Sequence, residues 1–79
     1  MLDRYARYIE EGYKTIQGYI AELEAMGIKG DAMDELRDLA HGLELPEDIY
    51  EAPGELEEMA RVRDRLVAKA KAVYLYFAE

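Results

Sequence analysis

Apolar residues recur at alternating steps of three and four from the start of the chain: Leu2, Tyr5, Ile9, Ile16, Tyr19, Leu23 and Met26, with Gly12 in the same register. Ala6, Tyr13 and Ile20 widen that stripe. This is the period of an amphipathic helix, and it predicts one over about residues 2–26. Gly27 then fits the left-handed position after a helix end, with Ile28 as the apolar contact that follows it. Met33, Leu36, Leu39, Ala40 and Leu43 repeat the pattern over a shorter second helix, about 32–42. Asp31 is the expected N-cap and Asp34 its capping-box partner, while Gly42 is the expected left-handed stop. A third stripe of Met59, Val62, Leu66, Ala70, Val73 and Phe77, flanked by Leu56, Val67 and Tyr74, predicts a helix over about 53–78 that opens on Pro53. Pro46 lies within the connection, residues 43–52, and Pro53 closes it, so it cannot be one continuous helix.

These lengths predict a single all-α domain spanning residues 1–79, an up-down-up three-helix bundle of long, short and long helices. At 1.5 Å per residue the outer helices reach roughly 35–38 Å and the middle one ~15–18 Å. The middle helix then covers half the height of the long pair. Ile49 and Tyr50 are expected to cover the rest from within the connection.

The end of the third helix strains that plan. Val73, Tyr74, Leu75, Tyr76 and Phe77 are consecutive, so the helix is apolar on every side there. Val73, Tyr74 and Phe77 continue the core stripe, which leaves Leu75 and Tyr76 on another side, together with Ala68 and Ala72. On the first helix Tyr8, Gly12, Thr15, Tyr19 and Met26 form an edge stripe, and a glycine inside a helix costs about 1 kcal/mol relative to alanine unless something packs closely. The chain carries seven tyrosines and one phenylalanine, and tyrosine is enriched at interfaces. The expected reading is a bundle completed by dimerisation through Tyr8, Gly12, Tyr19, Ala68, Ala72, Leu75 and Tyr76. The plainer alternative is a monomer whose tyrosines lie at the bundle edge.

Charge narrows the partners. The net charge is −8. Residues 1–30 contribute −1, residues 31–58 contribute −10 and residues 59–79 contribute +3. An acidic chain is disfavoured on nucleic acid and on anionic membranes, so neither is expected as a partner. Cysteine is absent, which fits a reducing compartment and an expected cytoplasmic location. The charged N-terminal stretch does not read as a secretion signal. The basic stripe Arg61, Arg65 and Lys69 is expected to pair with the acidic second helix.

Little catalytic chemistry is visible, and no cofactor is expected. Serine and cysteine are absent and Thr15 is the single threonine, so a hydroxyl or thiol nucleophile has almost no candidates. The one histidine, His41, follows Asp38 at the spacing of two metal ligands on one helix, but it also lies where a helix C-terminus favours an imidazolium. Glu35 with Asp38, and Glu55 with Glu58, are acidic pairs one turn apart. With His41 they make the metal alternative, that of a Mg-dependent helical hydrolase of the nucleotide-pyrophosphohydrolase kind, although the order of the two pairs is reversed here. The expected function is non-enzymatic: a small acidic interaction or scaffolding module that self-associates through helices one and three. The principal alternative is an acidic inhibitor, of the kind that serves as an immunity protein, binding a basic partner through residues 31–58. Asp48, Tyr50 and Glu51 would be its contact residues.

Overall fold

The structure, a computed structural model describing residues 2–45 and 53–78, consists of three helices, α1 (Leu2–Ala25), α2 (Asp31–His41) and α3 (Pro53–Ala78). Among the described residues there is no strand. The molecule measures 41 × 20 × 16 Å, its long axis matching the ~39 Å of a 26-residue helix. α1 packs most extensively on α3, then on α2, and α2 packs least on α3. Tyr8 lies level with Asp64, and Glu22 with Tyr74, so α1 and α3 run parallel. Arg37 meets Glu24 near the top of α1, while Leu43 lines one pocket with Ala6 and Tyr13 near its base, so α2 runs down between them. This is the up-down-up arrangement with a short middle helix. The cover expected from Ile49 and Tyr50, and the alternative contacts Asp48, Tyr50 and Glu51, lie outside the described residues.

The α1–α2 corner is built by backbone geometry. Gly27 has φ 83°. Its N–H donates to Glu24 O at 3.0 Å and the Ile28 N–H donates to Leu23 O at 3.0 Å. That pair of bonds is a Schellman motif, and Ile28 packs against the core as the motif requires. The start of α2 differs from the sequence expectation. Gly30, not Asp31, is the N-cap, with φ 101° and ψ −149° and no side-chain capping bond. The chain has three residues in which to reverse after Gly27, and it does so through a conformation open essentially to glycine alone. Asp31 therefore becomes the first helical residue, and the Gly30 carbonyl accepts from Met33 N and Asp34 N. Asp31 and Asp34 act through the helix dipole instead of through a capping box.

The end of α2 also differs. Gly42 is right-handed (φ −63°, ψ −14°). The helix closes by tightening, with Leu43 N donating to Ala40 O and Glu44 N to His41 O. Gly42 is a tight fit: a Cβ there would meet Leu66 Cδ1 at 3.1 Å, so the Leu66 side chain would have to shift by a few tenths of an ångström.

Ile9, Ile16, Leu23, Met33, Leu36 and Leu56 are fully buried. Each contributes about 1.5–3 kcal/mol of transfer free energy. From Ile9 to Leu23 the predicted α1 stripe faces the core, with Tyr19 half-buried, whereas Tyr5 near its start is 36% exposed and Met26 beyond its last turn is 53% exposed. α3 is thinner than its stripe predicts. Only Leu56 and Ala70 are fully covered, and Met59, Val62, Leu66, Val73 and Phe77 are half-buried.

Candidate interaction site

Along the α1·α3 seam the expected interface residues of α1 are engaged within the chain. Arg63 lies across Gly12, where a Cβ would meet its Nε at 2.6 Å and its Cγ at 2.7 Å. Its side chain is only 17% exposed, and Nε is buried without a hydrogen-bond partner. The guanidinium stands 4.0 Å over the Tyr8 ring, and its Nη1 donates to Tyr8 Oη at 3.0 Å and to Asp64 Oδ1 at 3.1 Å. The Tyr8 hydroxyl in turn donates to the Asp64 carboxylate. That bond raises the Tyr8 pKa above its ordinary 10.0, and partial loss of hydration adds to the rise, while Arg63 opposes it. The same bond holds the Asp64 pKa below its ordinary 3.8.

Eleven residues further up, Tyr19 and Tyr74 stack with ring centroids 4.6 Å apart. The Tyr74 hydroxyl donates to Glu22, and this raises the Tyr74 pKa. The close packer that Gly12 calls for is thus Arg63 of the same chain. Sequence reading missed Arg63 as a seam residue. The signal was present: Leu56, Ala60, Arg63, Val67, Ala70 and Tyr74 follow a four-three spacing with one charged member.

The α3 members of the expected interface are placed differently. Ala68 and Ala72 are exposed, Leu75 is half-buried, and Tyr76 is 82% exposed. The Tyr76 ring meets Phe77 edge to face at 5.0 Å between centroids. Beside them a shallow cleft of about 370 Å³ runs between the start of α2 and the end of α3, lined by Ala32, Glu35, Ala72, Val73, Tyr76 and Phe77. Helix phase places Lys69 one turn below Val73 on the same side of α3.

The remaining candidates do not gather. Glu35, Asp38, His41, Glu55 and Glu58 are each exposed, and among the described residues no group of three or more acids or histidines is positioned to hold a metal ion. His41 Nδ1 instead pairs with Glu44 at 3.2 Å. The expected pairing of the α3 basic stripe with α2 is absent among the described residues. Arg61 bonds Glu57 on its own helix, and the cross-helix ion pair is Arg37 with Glu24 at 2.9 Å. Asp31, Asp34, Glu35 and Asp38 thus remain an exposed acidic face on α2, with Asp34 met by Arg37 of the same helix at 3.5 Å and Glu35 at the edge facing α3. Among the described residues no helix is long and apolar enough to cross a membrane. No protein-family model, curated protein or solved structure matches the chain.

Proposed function

We propose that this chain is a small acidic helical interaction or scaffolding module, non-enzymatic and cytoplasmic, that self-associates as a homodimer. The observation that carries this reading is Tyr76, a large aromatic residue left 82% exposed beside exposed Ala72 and half-buried Leu75 and Phe77. Aromatic side chains are enriched at protein interfaces and often anchor them. Of the two helices expected to take part, α3 offers the freer surface, because Gly12 and Tyr19 of α1 are already packed against α3. The test is solution mass by light scattering across a concentration series. The expected result is twice the chain mass, falling to one on Ala72→Glu or Leu75→Glu with helix content retained. A monomer at every concentration would sink the proposal.

A second reading is favoured by the acidic face of α2, which no α3 base neutralises among the described residues. There the chain would be a monomeric inhibitor of a basic protein. Its association rate would fall steeply with added salt.

A further inference from the structure

We infer that the self-association contact is a two-fold exchange, in which Tyr76 of each copy enters the cleft between α2 and α3 of the other. This rests on the self-association proposed above and specifies where the two copies meet. A two-fold interface uses the same patch on both partners, so the patch must contain both a protrusion and a matching recess. The α2–α3 cleft meets that condition. Its lip carries the most exposed large hydrophobic side chain described, Tyr76, and its walls are Ala32, Ala72, Val73 and Phe77. Alanine on both sides leaves room for a ring, and the about 370 Å³ of space accommodates one. Phe77, already edge-on to Tyr76 at 5.0 Å, offers the incoming ring an aromatic wall.

Charge selects the same place. Two chains of net charge −8 repel one another over most of their surface. The cleft lies on the border between the strongly acidic stretch 31–58 and the basic stretch 59–79, with Glu35 on its α2 wall and Lys69 on the adjoining turn of α3. Among the described residues neither takes part in an ion pair within the chain. A two-fold axis running along the cleft sets α2 of each copy opposite α3 of the other, brings Glu35 towards the partner's Lys69, and so joins unlike charges twice. An apolar centre with such a polar rim matches the general anatomy of protein interfaces.

The experiment measures dimer dissociation constants of the full chain by sedimentation for four variants. All three positions are exposed, so the substitutions leave the fold intact, which circular dichroism checks. Tyr76→Ser is expected to weaken the dimer by roughly 30-fold or more, the loss of an aromatic anchor. Glu35→Lys and Lys69→Glu are each expected to weaken it by about tenfold, and the double reversal to return it to within about threefold of the parent. Glu35→Lys also lowers the net negative charge, so general repulsion alone would predict the opposite change. A parent chain that stays monomeric overturns the cleft contact together with self-association. A dimer that survives Tyr76→Ser, or that the double reversal does not recover, overturns the cleft contact alone and leaves self-association standing.

Discussion

Two glycines on one helix make opposite demands. Both Gly12 and Gly18 look costly in α1, by about 1 kcal/mol each relative to alanine. Nothing lies within 4 Å of a Cβ built at Gly18, whereas the same atom at Gly12 collides with the middle of the Arg63 side chain. Gly18→Ala is therefore expected to raise stability by about 1 kcal/mol. Gly12→Ala forces Arg63 aside at an overpacking cost of about 1–3 kcal/mol, which outweighs the gain in propensity. Urea denaturation of the two variants should show midpoints moving in opposite directions. The seam tyrosines carry a pH signature of their own. Raised pKa values at Tyr8 and Tyr74 mean that their contribution to stability is complete below pH 10.0 and is lost as pH rises through the higher folded values. The lowered pKa of Asp64 means that its contribution is complete above 3.8 and fades as pH falls through a lower value. Tyrosinate absorbance should show a late-ionising class that shrinks when Tyr8→Phe and Tyr74→Phe are introduced.

At the scale of elements, helix positions and most of the core were legible in the sequence, because the three-four stripe of α1 has one buried face and little else competes with it. Gly27 was legible for a similar reason: a left-handed stop followed by an apolar residue is a local motif. Gly30 and Gly42 were not. Asp31 carries the usual capping chemistry, but the three-residue reversal after Gly27 placed the cap at Gly30. Gly42 resembles a left-handed stop, but it is right-handed and packs closely under Leu66, a neighbour distant in sequence. Gly30→Ala is therefore expected to cost about 1–3 kcal/mol, while Asp31→Ala should cost only the few tenths of a dipole contact. Thermal unfolding of both variants separates cap from first turn. Arg63 escaped sequence reading because a charged residue within an apolar register looks like an interruption until its partner, Gly12, is seen beneath it.

At the scale of the whole molecule, α3 is half-covered along much of its length, and the self-association proposed above would use its end beside the start of α2, where Tyr76 stands exposed. The parallel pairing of α1 with α3 has a kinetic consequence. Its contacts join residues 52 and 56 positions apart, whereas Arg37 and Glu24 are 13 apart. Chain entropy must be lost over the longer loop before the largest interface gains anything, so the α1–α2 hairpin is expected to organise first and α3 to dock late. Ile28→Ala, at the hairpin corner, should then chiefly slow folding. Tyr74→Ala, in the seam, should chiefly quicken unfolding. Stopped-flow rates over a denaturant series separate the two limbs, and the reverse assignment would mean that α3 finds α1 before the corner has formed. Late docking also gives the chain a brief interval in which the apolar face of α1 is open to α3 of another molecule. Exchange of α3 between copies is therefore the misfolding route to which this topology is most exposed at high concentration.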